Sequence, residues 1–106
     1  MILDLDIGAE FGGFCADGEA AARYRERHLD PYVGVAESIV LDFASVRNAN
    51  TSFCNALIAN LVILYGSEIL QKLRFRNCRE NVKVLVCAAL ELASSMLKNA
   101  PSFTTA

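Results

Sequence analysis

Leu3, Leu5 and Ile7 alternate with Asp4 and Asp6, the period of two that marks a strand with one wet face, and Gly8 closes it. Ala9 to Phe14 reads as a weaker second strand, interrupted by Gly12 and Gly13. Asp17 then stands as an N-cap before Gly18-Glu19-Ala20-Ala21-Ala22 and predicts a helix to about Leu29. Pro31 stops it, because the residue before a proline avoids the helical region. The nearly continuous apolar run from Ser38 to Phe43 predicts a central parallel strand covered on both faces. Asn48, Asn50, Thr51 and Ser52 form a polar turn, and a helix follows from about Thr51 to Tyr65, ended by Gly66. Leu73 and Phe75 alternate with Lys72, Arg74 and Arg76, so a third clear strand has a basic wet face. Asn77 and Glu80 have capping-box spacing, predicting a last helix whose apolar stripe is Val82, Leu85, Val86, Ala89, Ala93 and Met96.

The order is strand, helix, strand, helix, strand, helix, with an extra strand allowed near the start. Such βαβαβα alternation predicts an α/β domain with a small mixed or mostly parallel sheet, right-handed crossovers and about three helices. With 106 residues there is room for one domain, placed at residues 1–98, followed by a frayed tail from Asn99 to Ala106 that contains Pro101.

Composition adds exclusions. The chain is 54% apolar with a mean hydropathy of +0.32, so it can bury enough surface to order itself. Ten basic residues against twelve acidic ones, net charge -2, leave no electrostatic footprint for nucleic acid. The longest apolar run, Ala56 to Tyr65, is interrupted by Asn60 and falls short of the roughly 18 to 20 residues of a membrane span. Acids rather than bases begin the chain, unlike a signal peptide. Cys15, Cys54, Cys78 and Cys87 show no C-x-x-C pair and share the chain with one histidine, His28. They read as reduced thiols in a cytoplasmic protein that engages neither nucleic acid nor membrane.

Ligands of an open α/β sheet meet the chain where strands end and helices begin, which singles out Leu41 to Phe53. Thr51 and Ser52 lie in the first helical turn, near unsatisfied backbone N–H groups and the positive end of the helix dipole. Asn50, Thr51 and Ser52 either cap the helix or mark a place where a phosphate is stabilised. Catalytic readings find less support. There is no G-x-S-x-G elbow for His28 to serve, no P-loop lysine and no G-x-G-x-x-G after a strand. Asp4, Asp6 and Asp42 suit structural roles better than a Mg²⁺ cluster, and the basic Lys72, Arg74 and Arg76 suit a solvated edge. The expectation is a non-enzymatic protein with no cofactor and no metal site. The helix from Phe53 to Tyr65 is apolar nearly all round, which predicts an interface there with a second copy or a partner protein.

The segment Ile39-Val-Leu-Asp-Phe-Ala-Ser-Val46, then Ser52-Phe53 with Leu57, Leu61 with Tyr65-Gly66, Leu73-Arg-Phe-Arg-Asn77 and Asn81-Val-Lys-Val-Leu85, resembles the bacterial STAS-like domain family. Asp17-Gly18 to Pro31, with Arg23-Tyr24-Arg25 and Leu29, is similar to that family's first helix. The resemblance implies kinship with STAS domains of anti-sigma factor antagonists. These are small regulatory proteins that bind a kinase-like ATPase and are switched by phosphorylation of a serine at a helix start. Their Asp-Ser-Ser-Gly pattern falls on Asn50, Thr51, Ser52 and Phe53, which makes Ser52 the phosphoacceptor candidate and Thr51 the second choice. Asn48, Asn50, Thr51, Ser52 and Asn55 form the implied partner-binding set. The acid of that pattern is Asn50 here and its glycine is Phe53, while the acidic pair that commonly follows Ser-Phe is Asn55 and Ala56.

Overall fold

The computed structural model describes residues 1–98. The tail predicted from Asn99 to Ala106 lies outside the described residues. The chain runs β1 (Ile2–Asp6), α1 (Ile7–Phe11), β2 (Phe14–Cys15), α2 (Gly18–His28), a 3₁₀ turn (Asp30–Tyr32), β3 (Ser38–Asp42) and β4 (Asn48–Ala49). It continues through α3 (Thr51–Cys54), a π-helical segment (Asn55–Ala59), α4 (Asn60–Tyr65), α5 (Ser67–Lys72), β5 (Leu73–Arg76) and α6 (Glu80–Lys98).

Three strands form one parallel sheet in the order β1-β3-β5, with Asp6, Asp42 and Arg76 in register across it. β2 and β4 form a separate parallel pair. The main sheet grows in one direction, so right-handed crossovers put both connections on the same face. Burial agrees: Ile39, Leu41 and Leu73 point into the core, while Ile2, Asp4, Asp6, Arg74 and Arg76 point to solvent. This corrects the expectation that β3 is covered on both faces. The central strand alternates buried and half-buried positions because the helices occupy one side only.

A parallel sheet with a wet face must satisfy that face with polar groups. Arg76 does this at the carboxyl end of the sheet by bonding the carboxylates of Asp4 and Asp42, and Asn77 Nδ2 donates to Asp42 Oδ1 at 3.1 Å. Asn77, at φ +58°, therefore turns the chain after β5 rather than capping α6, which begins two residues later than that capping role requires. The first crossover also differs from expectation. Asp6 Oδ1 accepts from Ala9 N at 3.0 Å and caps a helical turn where a second strand was predicted, and Gly12 at φ +83° ends it. β4, read from the sequence as part of a polar turn, and α5, between Gly66 and β5, are further elements that the pattern did not announce.

The helix from Thr51 to Tyr65 is the middle of the helical layer. Phe53, Leu57, Ile58, Leu61 and Val62 are fully buried, and α2 and α6 pack along it. The predicted intermolecular interface on residues 53–65 is therefore corrected. Neighbouring helices of the same chain take up its apolar circumference, leaving Asn60 and Leu64 exposed. Its π-helical segment is braced from α2: Arg25, only 8% exposed, donates from Nε to the Ala56 carbonyl at 3.2 Å. The same guanidinium bonds Asp30 Oδ2 at 2.7 Å. Beside it, burial and then the Asp30 carboxylate push the Tyr65 hydroxyl above its usual pKa.

Two measurements test these arrangements. Arg25→Leu leaves the half-buried Asp30 carboxylate without its cationic partner, and a loss of about 1 to 3 kcal/mol is expected in urea unfolding, partly recovered by adding Asp30→Asn. Asn77 first, then the Ala44 N–H and Arg76, hold the Asp42 carboxyl below its usual 3.8 against partial desolvation. Such a group stabilises the fold above its unfolded pKa and loses that contribution as pH falls through its lowered folded value. Asp42→Asn should accordingly flatten the fall in thermal midpoint as the pH drops below the ordinary carboxylate range.

Candidate functional site

The site is assembled where β4 hands the chain to α3. β2 and β4 pair Phe14 with Asn48 and Cys15 with Ala49, which lays the start of α2 beside the start of α3. Asn50 locks the two together. Its backbone N–H donates to the Cys15 carbonyl at 3.0 Å, its Nδ2 to the Ala16 carbonyl at 2.9 Å, and its Oδ1 accepts from Phe53 N at 2.8 Å. An aspartate could cap the helix but could not donate to Ala16, so the amide performs a structural task open to Asn and closed to Asp.

Ser52 lies in the first turn of α3, an exposed residue whose Oγ is turned toward Gly18 at the start of α2. A Cβ on Gly18 would collide with that hydroxyl and come within 3.1 Å of the Ser52 carbonyl. Two helix N-termini thus converge on Ser52, each capped by its own side chain, Asp17 for α2 and Asn50 for α3. Thr51 is exposed beside it. A group attached to Ser52 Oγ would have to rotate outward, away from Gly18.

The other predicted site residues divide. Asn48 is exposed and accepts from Ala49 N at 2.9 Å and from Asn81 Nδ2 at 3.4 Å, which ties the turn to α6. Asn55 is half-buried at the first position of the π-helical segment, and Asn50 is consumed by its clamp. The exposed members of the set are therefore Asn48, Thr51 and Ser52, while Asn50 and Asn55 are half-buried. Phe53, where the antagonist pattern has glycine, is a core side chain packed edge-on against Phe11 at 4.8 Å between ring centroids.

A family profile described as "STAS-like domain of unknown function (DUF4325)" matches residues 20–83, more than half of the chain. This chain belongs to that STAS-like family. Comparison with curated proteins finds no match, and comparison with solved structures finds none either. The matched part of the STAS-like domain contains most of α2, the β3 strand, Asn50 and Ser52.

Elsewhere in the STAS-like domain, Phe11 meets Tyr24 edge-on at 5.2 Å between ring centroids, and Tyr24 lies tilted against His28 at 4.7 Å. With Glu10, Arg23 and Arg27 they line an open groove of about 300 Å³. Its aromatic members come from α1 and α2, and only the structure joins them. Burial pushes the thiols of Cys15 and Cys54 up to about 11, which suits packing and not nucleophilic chemistry. Asp4 and Asp42 share Arg76 while Asp6 caps α1. Among the described residues no three His, Cys, Asp or Glu side chains gather to hold a metal ion. Nor is any described helix long and apolar enough to cross a membrane.

The clamp is tested by Asn50→Asp and Asn50→Ala. Replacing the cap with alanine should cost about 1 to 2 kcal/mol in denaturant unfolding. Aspartate should retain the cap yet still lose stability through the unanswered Ala16 carbonyl, by about 1 kcal/mol.

Proposed function

We propose that this STAS-like domain is a non-enzymatic regulatory module that works in the cytoplasm by protein contact. It presents Asn48, Thr51 and Ser52 to a signalling partner, a kinase-like ATPase, in the manner of anti-sigma factor antagonists. Ser52 is the phosphoacceptor and Thr51 the second choice. The observation that carries this reading is the placement of Ser52: an exposed residue at the meeting of two helix N-termini, held by a clamp built from uncharged Asn50. A phosphate rotated out from Ser52 stays at the first turn of its own helix, where the helix dipole stabilises it by about 0.3 to 1 kcal/mol. The same added charge, on a surface that docks a protein, would weaken or redirect the contact.

Buried thiols of raised pKa and acids committed to caps and ion pairs support contact over catalysis. The helix at residues 53–65 contributes by positioning Ser52, since its apolar side chains are spent on the core.

The test combines the protein with a kinase-like ATPase encoded beside it, with and without ATP. Complex formation and one added phosphate on Ser52 are expected. Ser52→Ala should keep the complex and lose the phosphate, whereas Ser52→Asp should weaken binding by about tenfold or more. Absence of both complex and phosphate, or phosphate placed away from residues 51 and 52, would overturn the reading.

A further inference from the structure

Helix α6 buries Val82, Val86, Ala89 and Ala93 along one side. At 3.6 residues per turn, Val84, Cys87, Ala88, Glu91 and Ser95 lie opposite, on the side turned to solvent. That side should be polar on a solvent-facing helix, yet it carries Val84, 65% exposed, followed by the small Cys87 and Ala88, both exposed. The charges that flank this patch have a symmetry of their own. Lys83 and Glu91 are equidistant along the chain from Cys87, one basic and one acidic. Lys83 is engaged only by Glu80, an exposed neighbour on its own helix at 3.6 Å, and Glu91 has no ion pair among the described residues.

A surface of this kind complements itself. We propose that α6 is a homodimer interface, in which two copies pair their last helices antiparallel about a two-fold axis at Cys87. Lys83 of each copy then meets Glu91 of the other, so one symmetric contact makes two ion pairs. Val84 packs beside Ala88 of the second copy, and the small side chains at the centre let the helix axes approach to about 8 to 10 Å. Two Cys87 thiols face one another across the axis. A parallel arrangement would instead place lysine over lysine and glutamate over glutamate, so the charge pattern selects the antiparallel one. A single helix pair is small for an interface, which makes the expected dimer weak and dependent on concentration. The proposal is independent of the Ser52 reading, because none of its residues lies between Asn48 and Asn55.

Sedimentation velocity on the full chain, up to about 1 mM, should show reversible dimerisation. Lys83→Glu and Glu91→Lys should each weaken it by roughly threefold to tenfold, and the double exchange should restore it, since reversing both partners regenerates two ion pairs. The substituted residues are exposed, and unchanged thermal midpoints would show that the fold is intact. In a Cys78→Ser background, diamide should accept the two thiol hydrogens and leave a Cys87 disulfide between copies, a product absent from the Cys87→Ser protein. A monomer at every concentration would overturn the proposal. So would a dimer indifferent to the charge exchange, a double exchange that fails to restore it, or oxidation that yields no Cys87-linked dimer.

Discussion

The sheet is wound in one direction, and the rest of the structure follows from that. Each right-handed crossover from β1 to β3 and from β3 to β5 must land on the same face, so one face receives every helix and the other receives none. Parallel sheets are ordinarily covered on both sides, and an open face has to be made acceptable to water. Here Asp4, Asp6, Asp42, Arg74 and Arg76 occupy it. The Arg76 bridge to Asp4 and Asp42 spans all three strands and offsets the repulsion between those two carboxylates. Asn77 adds a further donor as the chain leaves the sheet.

Crowding all helices on one face also explains why the segment from Thr51 to Tyr65 is apolar nearly all round. It is flanked by α2 and α6 over the sheet, so an ordinary single stripe would leave polar groups in the interior. The same crowding calls for braces between helices. Arg25 reaches from α2 to the Ala56 carbonyl, and Gly18 lets the start of α2 approach Ser52 without a side chain between them. π-helical turns often mark functional positions, and this one begins at Asn55, one turn beyond Ser52. Stability and the presentation of Ser52 thus depend on the same contacts between α2 and the central helix.

The departures from the antagonist pattern acquire physical meaning in this setting. Asn50 replaces an acid because its amide both caps α3 and donates to Ala16. Phe53 replaces glycine because the position faces Phe11 in the core. These are substitutions of packing and hydrogen bonding, and they leave the exposed hydroxyls of Thr51 and Ser52 in place.

The alternation at Leu3, Leu5 and Ile7, the run from Ile39 to Phe43, the Asp17 cap and the Gly66 stop were sufficient for β1, β3, α2 and the helix from Thr51 to Tyr65, because each is a local signal of period, cap or break. The place of Ser52 in the first turn of a helix was legible for the same reason. The open sheet face was not, since a run such as Ile39 to Phe43 reads alike whether one face or two are covered, and strand order decides between them. The inward turn of Asn50, the groove lined by Phe11, Tyr24 and His28, and the burial of the helix from Phe53 to Tyr65 were likewise decided by tertiary structure. Each depends on what stands opposite a side chain, and residues far apart in the chain supply it.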